Sequence, residues 1–156
     1  MHVETGPHLL ATEADTEALA RAFAAELGRG DTLLLEGDVG AGKSAFSRAL
    51  IRARLGRNED VPSPTFTLVQ TYNDHDVEIW HCDLYRLSSP EEALELGLDE
   101  AFVSAICLIE WPDRLDWLSP PSALTLRFEA WQDEHRVSFR GPAAWAERLD
   151  RVLAHA

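Results

Sequence analysis

The chain has 156 residues, 46% hydrophobic and 26% charged, the balance of one globular α/β-sized domain spanning residues 1–156. Its 14 basic and 27 acidic side chains sum to −13, which argues against binding DNA or broad RNA surfaces and against anionic membranes, since both need clustered Lys and Arg. The start, MHVETGPHLL, lacks the basic and apolar regions of a secretory signal, and the apolar run at 101–109 is too short to span a bilayer; with only Cys82 and Cys107, no disulfide framework is expected and the cytoplasm is the expected location.

In chain order, Thr12-Glu13-Ala14-Asp15 has the spacing of a capping box, and Leu19, Phe23 and Leu27 predict a helix that Gly28 stops. Residues 32–36 form a short apolar run readable as a buried strand. A glycine-rich turn leads to a helical stripe of Ala45, Phe46, Ala49, Leu50 and Ala53, closed by Gly56. Pro62 and Pro64 impose an extended loop. Residues 66–72 and 77–83 read as strands around the turn signal 73–76, and Ser89-Pro90-Glu91-Glu92 begins a helix. Residues 105–109 form a further buried strand, 122–128 and 135–139 are late strands, and 142–153 a terminal helix. Strands alternating with helices predict an α/β fold, a mainly parallel sheet flanked by helices.

The chemistry lies in Gly37-Asp38-Val39-Gly40-Ala41-Gly42-Lys43-Ser44, which fits G-x-x-x-x-G-K-[ST] between a strand and a helix. Glycines let such a loop wrap its N–H groups around phosphate oxygens, and the helix adds its positive dipole end. Lys43 is the only lysine among the 14 basic residues. An ammonium is a compact, freely directed charge that a planar guanidinium does not replace. Lys43 is therefore assigned to the β- and γ-phosphates of a nucleotide and the Ser44 hydroxyl to Mg²⁺.

Magnesium needs a further carboxylate at the end of a buried strand. Glu110, after residues 105–109, and Asp83, after residues 77–82, both stand there. Either acid could instead cap a loop or pair with Arg86 or Arg114. Thr65, in Ser63-Pro64-Thr65-Phe66-Thr67, is the candidate hydroxyl of a loop sensing γ-phosphate, or part of a rigid Pro-bracketed turn. His81 and Cys82 are strand neighbours that face opposite ways and make no joint metal site. Arg48, Arg52, Arg54 and Arg57 read as a solvated helix face where an acidic partner could dock.

The strand–GDVGAGKS–helix unit, SPTFT at 63–67, HCDLYRL at 81–87 and IEWP at 109–112 follow in the order and spacing of the TsaE family, bacterial ATPases of tRNA threonylcarbamoyladenosine modification. The chain resembles that family well over residues 12–114 and in outline beyond. The resemblance implies a small P-loop domain in which Gly37 to Ser44 bind ATP, with Ser44 where the family often has Thr. It places Glu110 at the magnesium-associated carboxylate, Asp83 at the second functional acid, Thr65 in the switch-like loop, Trp111 beside the nucleotide and Glu13 near the adenine. It implies TsaD and TsaB as partners and contact with tRNA only through that complex. It also implies an ATPase that resets the complex and does not itself transfer the threonylcarbamoyl group. Which acid ligates the metal and which positions water stays open.

Two other readings use the same loop. A small-molecule or nucleoside kinase needs an acceptor pocket and an Arg-bearing lid, yet Arg86 is the only basic residue between Arg57 and Arg114. A nucleotide-dependent binding module would hydrolyse ATP only incidentally.

Overall fold

In the computed structural model, which describes residues 2–38, 41–64 and 67–156, the strands form one seven-stranded sheet. They are β1 (His2–Leu10), β2 (Thr32–Glu36), β3 (Val69–Asp74), β4 (Val77–Asp83), β5 (Ile106–Glu110), β6 (Leu124–Trp131) and β7 (Glu134–Pro142), in the spatial order β1-β7-β6-β2-β5-β4-β3. The inner strands β6, β2, β5 and β4 run parallel. The margins are antiparallel: β3 on β4, and β7 on β6 with β1 outside it. An α/β fold with a parallel centre is what the alternation predicted.

Period-two alternation sorts the inner strands into two faces. Leu33, Leu35, Ile79, Ile106 and Leu108 pack on one face against α1 (Glu13–Glu26) and α2 (Lys43–Leu55). On the other face Leu34, Cys82, Cys107 and Ile109 meet α3 (Pro90–Glu95) and α4 (Leu98–Ser104). The thiols are buried in that second layer, and burial pushes Cys107 up to about 12 and Cys82 well above its ordinary value.

Helix α1 carries the foreseen capping box: the Thr12 hydroxyl accepts from the Asp15 N–H while the Asp15 carboxylate accepts from the Thr12 N–H. Gly56 ends α2 in the left-handed conformation, φ 69°. Other boundaries differ from expectation. The single helix expected after Ser89 is two, because Gly97 at φ 85° breaks it. The terminal helix starts later: Pro142 still belongs to β7, a 3₁₀ turn spans Ala143–Trp145, and α5 runs Ala146–His155. Strand β1 was not predicted. It is an outer strand with an irregular register between Thr5 and His8 and only Leu10 buried, so its sequence carries no apolar alternation.

Candidate nucleotide site

Parallel strands present their carboxyl ends along one edge of the sheet, and the crevice there is where α/β folds bind ligands. At this edge Asp83 and Glu110 are register partners on β4 and β5. Counting by twos from Ile79 and Ile106 puts both on the face that carries α2, and both are buried. The Asp83 Oδ1 accepts a hydrogen bond from the Tyr85 N–H at 3.1 Å. The Glu110 Oε2 lies 2.8 Å from the His81 Nε2.

Lys43 opens α2 beside them. The turn before it is fixed by an Ala41 N–H bond to the Asp38 carbonyl and by Gly42 at φ 111°, which caps the helix in the left-handed region that favours glycine. Gly37 is required sterically: at φ 136°, a Cβ there would sit 2.3 Å from the Phe128 carbonyl oxygen of β6. The Lys43 side chain is buried. Its Nζ donates to the Gly37 carbonyl and lies 4.1 Å from the Trp111 ring centroid. Burial lowers the Lys43 pKa from its usual value, opposed by the charges of Glu110, Asp83, Asp38 and Asp113. Trp111, at φ 58°, turns the chain sharply after β5, and its ring meets Tyr85 edge-on at 5.0 Å.

A cavity of about 500 Å³ opens here, lined by Gly37, Asp38, Ala41, Lys43, Trp111 and the end of β6. Gly37, Asp38, Ala41, Lys43 and Trp111, which the sequence singled out, are thus brought together, with Asp83 and Glu110 close enough to act on the Lys43 charge. Ser44 is exposed on the first turn of α2. Val39, Gly40 and Thr65 lie outside the described residues. Glu13 stands elsewhere, in a groove of about 470 Å³ between α1 and α2 with Thr16, Ala45 and Arg48. The basic face divides too. Arg54 is tied to Asp74 and to the Ala24 and Leu27 carbonyls, whereas Arg48, Arg52 and Arg57 line that groove.

Sequence reasoning missed His81, Asp113 and Phe128 as site residues. The sequence reading took His81 only with Cys82, as strand neighbours facing opposite ways; the adjacency of β4 and β5 brings it to Glu110.

The oxygen donors suit a hard cation: two buried carboxylates and a hydroxyl, with both thiols in the opposite layer. Magnesium is ordinarily held by one or two carboxylates together with substrate phosphates.

The chain is similar to known proteins over most of its length. Residues 10–138 match the TsaE family, described as threonylcarbamoyl adenosine biosynthesis protein TsaE. The chain is 43% identical over 129 residues to a Rickettsia bellii tRNA threonylcarbamoyladenosine biosynthesis protein TsaE, covering 83% of this chain and 90% of that one. It is 39% identical over 142 residues to the Bacillus subtilis protein of the same name, covering 90% and 88%. The crystal structure of Bacillus subtilis YdiB superposes with a TM-score of 0.80 at 29% identity, over 99% of this chain and 96% of that one. The strand–loop–helix around Lys43, the paired acids at the sheet edge and the matches across most of the chain lead to one assignment: this protein belongs to the TsaE family of threonylcarbamoyl adenosine biosynthesis proteins.

Proposed function

We propose that this protein is a magnesium-dependent ATPase that serves tRNA threonylcarbamoyladenosine biosynthesis as a nucleotide switch on a TsaB–TsaD complex. The reading rests above all on a buried lysine at a helix N-terminus facing two buried carboxylates at adjacent strand ends. Lys43 holds the Gly37 carbonyl in this structure and exchanges it for β- and γ-phosphate oxygens when ATP enters. The loop from Gly37 to Ser44, Val39 and Gly40 included, cradles the phosphates with its N–H groups. Trp111 covers the nucleotide, and Glu13 approaches the adenine from α1.

Ser44 and Glu110 are the residues that would hold magnesium, which would supply positive charge against the phosphates of a bound nucleotide. Of the two acids, Glu110 takes the ligand role and Asp83, oriented by its own chain at Tyr85, holds the attacking water. Thr65 carries the γ-phosphate-sensing hydroxyl. The protein works in the cytoplasm and meets tRNA only through its partners, in keeping with a net charge of −13.

Phosphate release from ATP, with and without magnesium and with and without TsaB–TsaD, tests the reading. Magnesium-dependent release that the partners accelerate is expected. Release that instead requires a small-molecule acceptor would make the protein a kinase, and no release under any condition would remove the ATPase.

A further inference from the structure

Among the described residues, the Glu110 carboxylate has one buried side chain in hydrogen-bonding range, and that neighbour comes from the adjacent strand. His81 Nε2 and Glu110 Oε2 are 2.8 Å apart, with the two side chains only 2% and 5% exposed. The parallel pairing of β4 with β5 sets His81 opposite Leu108 and Asp83 opposite Glu110, so His81 reaches Glu110 diagonally along one face. Cys82, its chain neighbour, packs in the opposite layer. The other ring nitrogen, Nδ1, is buried and meets no partner among the described residues. A proton on Nδ1 alone would leave a buried N–H without an acceptor among the described residues and set the Nε2 lone pair against the carboxylate, so the hydrogen bond assigns a proton to Nε2.

We propose that His81 is a positioning residue for Glu110: its Nε2–H holds Oε2 and leaves the other carboxylate oxygen for the cation beside Lys43. Asp83 is held differently, by the Tyr85 N–H two residues along its own chain. Carboxylates that bind metals are commonly fixed by hydrogen bonds of this kind, and removing the outer partner typically costs about 10- to 100-fold in metal affinity. The proposal rests on the magnesium-dependent ATPase reading and assigns the residue that sets its carboxylate.

The test is calorimetric titration of ATP in EDTA and in magnesium, for the wild type and for H81N, H81M and H81Q, each followed by thermal melting. Met fills the site but has no donor, and the shorter Asn places its amide near the position of Nδ1, short of Glu110, whereas the Gln amide reaches the position of Nε2. H81N and H81M are expected to keep wild-type ATP affinity in EDTA and to lose about 10- to 100-fold of the magnesium-dependent gain. H81Q should recover most of that gain. A full gain in H81N or in H81M overturns the proposal, as does a Gln variant that folds and recovers nothing. Failure of both H81N and H81M to fold would assign the pair to core stability and overturn it as well. A wild-type protein with no magnesium-dependent gain would instead remove the ATPase reading, and the role of Glu110 with it, before any variant is compared.

Discussion

Lys43 concentrates the chemistry of the site in one charge. It is buried, stacked on Trp111 and opposed by four carboxylates. K43A should therefore abolish measurable ATP binding. K43R should fail as well, because a planar fork does not fit where an ammonium sits between the Gly37 carbonyl and the indole ring. Calorimetric titration with magnesium present checks both, and a wild-type affinity in K43R would contradict the account. The two acids should separate by role. E110Q removes a negative ligand and should weaken ATP binding only when magnesium is present, whereas D83N should keep more of the binding and lose turnover by about 10²-fold or more. Equal affinity and wild-type turnover in both variants would take them out of the site. Lys43, Asp83, Glu110 and Trp111 were legible because each sits beside a strong local signal, a glycine loop or the end of an apolar run. His81 was not. Its partner is 29 residues away in sequence, and only the order of the strands brings them together.

At the scale of elements, the inner strands and α1 and α2 were legible from apolar runs and caps, while the margins of the sheet were not. Strand β1 is held by pairing with β7 rather than by burial of its own side chains, and no periodicity records that. The C-terminal helix is fastened by polar contacts equally silent in a hydrophobic pattern. Arg148 donates to Asp31 at 2.9 and 2.6 Å and to the Glu26 carbonyl at 3.1 Å, and its guanidinium lies 4.0 Å from the Trp145 ring centroid. R148A should destabilise the fold by about 1–3 kcal/mol through the unpaired groups it leaves behind, read as a lowered denaturation midpoint with ATP affinity intact in the folded protein. The same cluster predicts a pH response. The Glu26 carboxyl is held below its usual 4.5, chiefly by its hydrogen bond to Arg151, against burial and with Arg148 adding to the effect. Because the folded value is the lower one, the stabilisation is present above pH 4.5 and is lost as the pH falls through the folded value. Acid titration of stability should be shallower in R151A than in the wild type, and identical curves would contradict this reading of the cluster.

The whole molecule joins a nucleotide site to surfaces that a partner could read. The cavity at Lys43 and the groove of Arg48, Arg52 and Arg57 lie at different places along the same helix, α2. Strand β3, which follows Thr65 in sequence, pairs with the strand that ends at Asp83. The proposed function makes the molecule a two-state element, its loops ordering around the γ-phosphate of bound ATP and relaxing after hydrolysis. Linkage then binds the two sites: whatever factor ATP adds to partner affinity, the partner adds to ATP affinity. The most direct test is the affinity of this protein for TsaB–TsaD measured with ATP, with ADP and without nucleotide, at constant magnesium and salt. Tighter association with ATP than with ADP, by about 5-fold or more, is the predicted result. Affinities indistinguishable across the three nucleotide states would contradict the switch.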